Sequence, residues 1–188
     1  MQKHWFIKQT PSPDKIQAAV EDLKVSPIMA SILTQRDLTT LPQIRSFFTP
    51  QLSDLHDPFL MLHMDKAVER LQLAVEKEER ITIFGDYDVD GTTSVALVYS
   101  VLKAYASVDF YIPDRYEEGY GLSYKGIDSA IDKGCSLLIA LDCGIKEVDK
   151  VNYAREKGLD IIICDHHTPG AIIPDCIVLD PKQVDCEY

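Results

Sequence analysis

The stretch from residue 81 to residue 94 constrains the fold of this chain more than any other. It opens with an apolar, partly β-branched run at 81–84, which indicates a buried strand. Carboxylates then follow at alternate positions: Asp86, Asp88 and Asp90. The hydroxyl residues 92–94 lead into an apolar segment that predicts a buried helix, with one hydroxyl as its N-cap. The carboxylates are therefore expected on a strand-to-helix turn, where open α/β sheets place their ligands.

Three acids so close together repel one another and favour protonation unless a cation compensates their charge. The simplest compensation is a hard divalent ion, which prefers oxygen ligands. The pattern Asp-x-Asp-x-Asp-Gly also begins an EF-hand calcium loop, which requires Glu at its twelfth position and a helix before it. Here the twelfth residue is Leu97 and the preceding residues are strand-like, which excludes an EF-hand. The stretch alone supports two interpretations about equally: a metal site and a solvated acidic turn.

The rest of the chain predicts an α/β protein with a parallel sheet and flanking helices, because strand and helix patterns alternate from residue 65 onward. Further strands are predicted at 108–113, 137–141, 160–164 and 176–179. Residues 1–64 predict only short helices, at 16–23, 26–33 and 43–48. We therefore divide the chain into a small helical N-terminal segment, 1–64, and an α/β domain, 65–188.

Polar residues follow two further strands, Asp142 after one and Asp165-His166-His167 after the other. Because a parallel sheet brings its strand ends to one edge, both groups are expected to meet the three alternate carboxylates. Asp142 alone could instead be a helix N-cap, and a single histidine is more often an ordinary core or surface residue. Adjacent histidines point in different directions, so that one can bind metal while the other faces a substrate. The joint set suits two Mn²⁺ or Mg²⁺ ions and predicts hydrolysis of a phosphodiester or phosphoanhydride.

The loop at 115–121 has two interpretations. It contains Arg115 and the triplet Gly119-Tyr120-Gly121, which is compatible with an ordinary surface loop. Alternatively, the glycines let the backbone approach a phosphate chain, while the guanidinium and the tyrosine ring offer a charged fork and a stacking face.

Composition limits the remaining function classes. The formal net charge of −11 weighs against a nucleic-acid partner, although a metal-dependent hydrolase can be acidic because its ions restore positive potential. The five cysteines are odd in number and form no Cys-x-x-Cys pair, which favours reduced thiols in a cytoplasm over a zinc site. No apolar run is long enough for a membrane span, and residues 1–5 are unlike a signal peptide.

Three segments together resemble the first three motifs of the DHH phosphoesterase superfamily: 85–94, 141–144 and 165–167. The segments 111–122 and 180–183 are similar to its RecJ branch, the exonucleases specific for single-stranded DNA. The resemblance implies a metal-dependent exonuclease that removes 5′-mononucleotides from single-stranded DNA in the 5′→3′ direction, in recombination and repair. It also implies that a helicase and a single-strand-binding protein are possible partners, with no membrane involved.

Carried over by position, the resemblance assigns a role to each motif residue. Asp88 and Asp90 would each bind one of two Mn²⁺ or Mg²⁺ ions, Asp142 would bridge both, and His166 would ligate one. His167 would contact the scissile phosphate as a catalytic residue, with Asp142. Some relatives carry a histidine ligand at the position of Phe84, and Asp86 is expected to take over part of its role. The residues placed along the DNA strand are Arg115, Gly119, Tyr120 and Gly121.

The chain departs from the superfamily pattern because it stops at Tyr188, before a fourth-motif aspartate and the domains that close over DNA. It is therefore expected to be an N-terminal fragment that is weakly active or inactive alone. Two alternatives stay open. One is another DHH phosphodiesterase, acting on oligoribonucleotides or cyclic dinucleotides, or a pyrophosphatase; the other is a non-catalytic replication scaffold that has lost its metals.

Overall fold

A computed structural model describes residues 4–188. The chain forms two compact units, Met1–Leu55 and His56–Tyr188, which divide ahead of the boundary that the sequence suggests. The first unit contains α1 (Pro13–Leu23), α2 (Pro27–Thr34) and α3 (Leu41–Phe48), followed by a 3₁₀ turn at Leu52–Asp54. Ser26 and Thr40 cap the last two of these helices, as their positions before proline-containing first turns suggest. A small apolar core of its own joins α1 and α2.

The second unit is an α/β domain, as the alternating pattern predicts. After a 3₁₀ turn at Pro58–Leu60, its elements follow in the order α4 (Met64–Glu76), β1 (Arg80–Gly85), α5 (Val89–Leu102), β2 (Ser107–Tyr111), α6 (Tyr124–Asp132), β3 (Leu137–Leu141), α7 (Val148–Glu156), β4 (Asp160–Cys164) and β5 (Ile177–Leu179). Within the described residues, no helix is both long and apolar enough to cross a bilayer.

All five strands are parallel and lie in the order β2-β1-β3-β4-β5. The central strand β3 is buried throughout, β1 beside it is buried after its first residue, and β4 is buried at 161–163, because both faces of the sheet are covered. One face packs against residues of α6 and α7, such as Ile127 and Val151. The other packs against residues of α4 and α5, such as Ala74 and Val95. The fold class predicted from the sequence is therefore confirmed.

The register of the sheet aligns the last residues of four strands. Gly85 pairs with Leu141, Leu141 with Cys164, and Cys164 with Leu179. The pairing continues one step further, since the amides of Asp142 and Asp165 donate to the carbonyls of Cys164 and Leu179. The residues that directly follow β1, β3, β4 and β5 consequently occupy one row along the carboxyl edge of the sheet.

Helix α5 begins earlier than the hydroxyl residues suggest, so the predicted hydroxyl N-cap is wrong. The N-cap is Asp88, whose Oδ1 accepts the amide of Gly91 at 3.0 Å. The hydroxyls of Thr92 and Thr93 instead donate to carbonyls one turn back, at 2.6 Å each. A carboxylate outcompetes a hydroxyl here because it offers the stronger acceptor to the positive end of the helix.

We predict that Gly91→Ala destabilises the fold by about 1–3 kcal/mol, because an added methyl group would overpack this turn. A Cβ at this position would lie 2.4 Å from the carbonyl oxygen of Asp86 and 2.6 Å from its amide nitrogen, both rigid backbone atoms. Urea denaturation measures the effect. Thr93→Ala, at an exposed position in the same helix, serves as the control and should change the free energy of unfolding by less than about 0.5 kcal/mol.

Candidate metal centre

Four aspartates form the row beyond the strand ends: Asp86, Asp142, Asp165 and Asp180. None is more than 8% exposed, and they are the buried acidic residues of the described chain. Adjacent members are separated by the strand spacing of about 4.8 Å. Burial of several like charges at this spacing is unfavourable unless hydrogen-bond donors or cations compensate them. How each of the four is compensated therefore indicates what the site can bind.

Asp142 is paired with a histidine. Its Oδ1 lies 3.0 Å from Nε2 of His166, and its backbone has the positive φ of 62° that ends β3 abruptly. Burial, together with the nearby charge of Asp88, raises the pKa of Asp142 although the two histidines oppose the shift. The alternative of a helix N-cap is excluded, because α7 starts after Glu147 and Asp142 points to the histidines instead.

Asp165 is the most fully compensated of the four. Its Oδ2 accepts the amide of Ile145 at 3.0 Å. Its Oδ1 accepts the amides of His166 and His167 and lies 2.7 Å from Nδ1 of His167. Burial acts to raise the pKa of Asp165, but these hydrogen bonds outweigh it and hold the pKa below its usual value. An ionised Asp165 thus fixes the backbone and one ring of the histidine pair.

His167 lies between Asp165 and a tyrosine. Because ionised Asp165 can only accept, Nδ1 of His167 carries a proton. In the neutral ring, Nε2 then accepts the hydroxyl of Tyr120, which lies 3.0 Å away. Burial and the charges of the surrounding aspartates raise the pKa of Tyr120 to about 12, so the hydroxyl stays a donor. The three side chains form one continuous relay of hydrogen bonds.

The acids of the 81–94 stretch occupy three different environments. Asp86 is fully buried, and neither of its carboxylate oxygens has a hydrogen-bond partner among the described residues. Asp88 caps α5 with one oxygen and lies near enough to Asp142 to raise the pKa of that carboxyl. Asp90 is exposed in the first turn of α5, and the structure gives it no contact with the row.

The loop after β2 reaches this edge of the sheet. Gly119 and Gly121 have φ angles of 82° and 77°, which glycine adopts without strain, and they hold Tyr120 between them. The ring of Tyr120 meets His167 and Tyr87 edge to face. The guanidinium of Arg115 lies 4.9 Å from the centre of the Tyr87 ring. A cation and three rings therefore follow one another from the loop to the histidine pair.

The donor set fits a hard divalent cation. Asp142, His166 and His167 each offer one ligand atom, and these atoms lie within 4.8 Å of one another. The orphaned oxygens of buried Asp86 call for positive charge close by. Burial and the neighbouring acids raise the pKa of the nearby Cys143 thiol well above its usual value. Oxygens with one or two imidazoles suit Mn²⁺ or Mg²⁺ rather than zinc.

Sequence analysis missed three residues of this centre. Asp165 belongs to a quoted motif, yet its role as a hydrogen-bond hub depends on amides that only the fold brings to it. Asp180 follows β5 as the other row members follow their strands, and that shared position was the available signal. One of its buried oxygens has no partner within the described residues. Tyr87, between two motif acids, gave no signal because its contact with Arg115 is nonlocal.

The structure is a parallel α/β domain with a row of buried aspartates beyond its strand ends, and comparison with protein families identifies its class. Residues 80–187 match the model of the DHH family, N-terminal domain, so the chain belongs to the DHH family. It is similar to the single-stranded-DNA-specific exonuclease RecJ of Bacillus subtilis, with 42% identity over 98% of this chain and 24% of that protein. The RecJ of Escherichia coli is 37% identical over 66% of this chain and 22% of that protein.

Solved structures agree with this placement. A crystal structure of exonuclease RecJ bound to manganese superposes with a TM-score of 0.63 at 32% identity, over 69% of this chain and 34% of that one. RecJ from Thermus thermophilus in complex with Mn²⁺ gives a TM-score of 0.68 at 25% identity, over 95% of this chain and 25% of that one. The chain spans about a quarter of the length of the curated relatives it matches.

We predict that Asp165→Asn lowers the free energy of unfolding by about 2–3 kcal/mol at neutral pH, because an amide cannot accept at both former oxygen positions. The pKa of Asp165 is lowered by folding, so its stabilising effect is present above the usual carboxyl pKa of about 3.9 and is lost as the pH falls through the folded value. The difference between wild type and variant, measured by urea denaturation across pH, should therefore shrink in acid.

Asp160→Asn is the matched control at the opposite end of the same strand. Asp160 is exposed and pairs with Arg70 at 2.8 Å, so its replacement should cost less than about 1 kcal/mol. If the difference in free energy of unfolding between wild type and Asp165→Asn stayed constant down to strongly acidic pH, this would contradict an ionised Asp165 in the folded protein.

Proposed function

We propose that this chain is the metal-binding α/β part of an exonuclease that hydrolyses single-stranded DNA from the 5′ end. The proposal is carried by the row of buried aspartates, in which Asp86 lacks partners while Asp142 and the histidine pair converge. It is supported by the family membership and by the similarity to RecJ over 98% of the chain. The RecJ structures bound to manganese support Mn²⁺ as the ion for this chain, and its oxygen-rich donor set also suits Mg²⁺.

The residues that would hold metal are Asp86, Asp88, Asp90, Asp142 and His166. Bound there, divalent ions supply positive charge that activates water and neutralises the phosphate oxygens. The existing contact between Asp142 and His166 places an oxygen and a nitrogen donor side by side before any ion binds. Asp90 lies in the first turn of α5 and would join the set through its carboxylate oxygens. The positive end of the helix favours a negative charge at this position.

His167 is proposed to contact the scissile phosphate. Asp165 holds its Nδ1 proton, which leaves Nε2 directed toward the open side of the site and toward the hydroxyl of Tyr120. An imidazole oriented in this way can donate to a phosphate oxygen as charge develops when Nε2 also carries a proton, with Asp165 balancing the charge of the ring through Nδ1. Asp165 thereby serves as the carboxylate that orients a histidine, a role that recurs in hydrolytic sites.

The DNA strand is proposed to follow the line of rings from Arg115 to the histidine pair. Arg115 offers a guanidinium for a backbone phosphate, and Tyr87 and Tyr120 offer faces on which a base could stack. Gly119 leaves open space beside Tyr120, since a Cβ built there meets no atom within 4 Å, and Gly121 supplies the positive φ on the other side. A net charge of −11 gives this chain little general affinity for nucleic acid, which suits recognition limited to such a local patch.

We predict that the native, full-length protein with Mn²⁺ degrades single-stranded DNA in preference to double-stranded DNA, dinucleotides, cyclic dinucleotides and pyrophosphate. A panel of 5′-labelled and 3′-labelled substrates measures both preference and polarity. Asp142→Asn should reduce turnover by more than about a hundredfold, since metal-assisted charge stabilisation supplies several kcal/mol. Preferred hydrolysis of dinucleotides or pyrophosphate would instead favour another DHH phosphoesterase.

We predict that Asp142→Asn is at least as stable as the wild type at neutral pH in chelator. Folding raises the pKa of Asp142, so the stabilisation associated with this carboxyl is present below its unfolded pKa and lost as the pH rises. Mn²⁺ at a hundred times its dissociation constant should stabilise the wild type by about 2.7 kcal/mol and the variant far less. Thermal unfolding with and without Mn²⁺ measures both effects, and no Mn²⁺ response in the wild type would favour a metal-free scaffold.

A further inference from the structure

Two carboxylates hold the loop between β2 and α6: Asp114 accepts the amides of Tyr116 and Glu117, and Glu118 links the loop to the rest of the domain. Both oxygens of Glu118 lie 2.9 Å from the hydroxyl of Tyr111. It also accepts the amide of Asp114 at 2.9 Å and the hydroxyl of Ser123 at 2.5 Å. Burial acts to raise the pKa of Glu118, but these donors outweigh it and lower the pKa, which keeps the group ionised.

The donors to Glu118 are themselves anchored in the core of the domain. The ring of Tyr111 stacks on fully buried Phe84, with centroids 5.6 Å apart and an angle of 14° between the planes. Ser123 is the N-cap of α6 and accepts the amide of Gly126 at 3.0 Å. Glu118 therefore joins the ends of β1 and β2 to the start of α6 across the base of the loop.

Tyr120 lies between Glu118 on one side and a buried stretch, 121–123, on the other. Gly119 has a positive φ, and a Cβ built there meets no atom within 4 Å. Gly121 also has a positive φ, and a Cβ built there would lie at van der Waals distance from its neighbours, at 3.6 Å or more. Between these two glycines, Tyr120 is half exposed and makes its polar contact with Nε2 of His167. The placement of its hydroxyl thus depends on where the chain is fixed before Gly119, by Glu118, as well as on the buried residues that follow.

We propose that Glu118 is a positioning residue of the site, which holds Tyr120 against His167 and Arg115 beside the substrate path. Glu118 contacts neither the metal-ligand candidates nor the path itself; it acts through the loop. The inference rests on the proposed function for its kinetic consequence. The structural link from Glu118 through Tyr120 to His167 can be measured without nuclease activity.

The first experiment compares Glu118→Gln with Glu117→Gln in the native, full-length protein. Gln at 118 keeps the shape but offers one acceptor in place of two, whereas Glu117 is exposed and pairs with exposed Lys125. Selective labelling of histidines reports the environment of the His167 ring by NMR. Glu118→Gln should shift the His167 resonances in the direction that Tyr120→Phe shifts them, and trypsin should cleave after Arg115 roughly tenfold faster or more. Glu117→Gln should leave both unchanged.

The second experiment is kinetic. Glu118→Gln should raise KM for single-stranded DNA roughly tenfold, with the Mn²⁺ dissociation constant changed by less than about twofold. In the double variant with Tyr120→Phe, KM should rise little further than in Tyr120→Phe alone, because both changes disrupt the same link.

The outcomes that would overturn the positioning role differ from the outcome that would refute the proposed function. Unchanged His167 resonances and unchanged tryptic cleavage in Glu118→Gln would overturn the positioning role whatever the protein hydrolyses. Additive effects of the two substitutions on KM would also overturn it, since Glu118 would then act independently of Tyr120. Absence of nuclease activity in the wild type, with the His167 shift present, would refute the proposed function while leaving the link established.

Discussion

In-register pairing of parallel strands is the constraint on which this site depends. Four strands end at the same level, and the next residue of each is an aspartate. The sheet therefore concentrates negative charge along an edge where burial makes charge expensive. A slip of one residue in any strand would send its aspartate to the opposite face of the sheet, among the apolar side chains of α4 and α5. The long buried core of β1, β3 and β4 opposes such a slip.

The four aspartates differ in how their charge is compensated. The protein itself compensates Asp165 with three amides and a histidine ring. Asp142 is compensated in part, by one histidine, and its pKa remains raised. Asp86 receives no hydrogen bond within the described chain. This gradient separates a hub that the protein compensates by itself from acids for which we propose an added cation.

Much of the fold could be predicted because its signals are local. The apolar runs of β3 and β4 and the glycines that follow α6 and α7 mark these elements without tertiary information. The convergence of Asp142 and the histidine pair follows from parallel topology alone. The N-cap of α5 was missed because two competing local motifs, an aspartate and a run of hydroxyls, lie within one turn. The contact of Arg115 with Tyr87 and the convergence of donors on Glu118 join distant segments, which no local pattern encodes.

The backbone of Asp142 limits which residues could ever replace it. With φ at 62°, this position suits Asp, Asn or Gly, whereas other side chains would strain the chain by about 1–2 kcal/mol. Asparagine or glycine would preserve the bend at the end of β3 while removing the carboxylate. A sequence with asparagine or glycine here would therefore keep this fold while lacking the acid that we propose as a metal ligand.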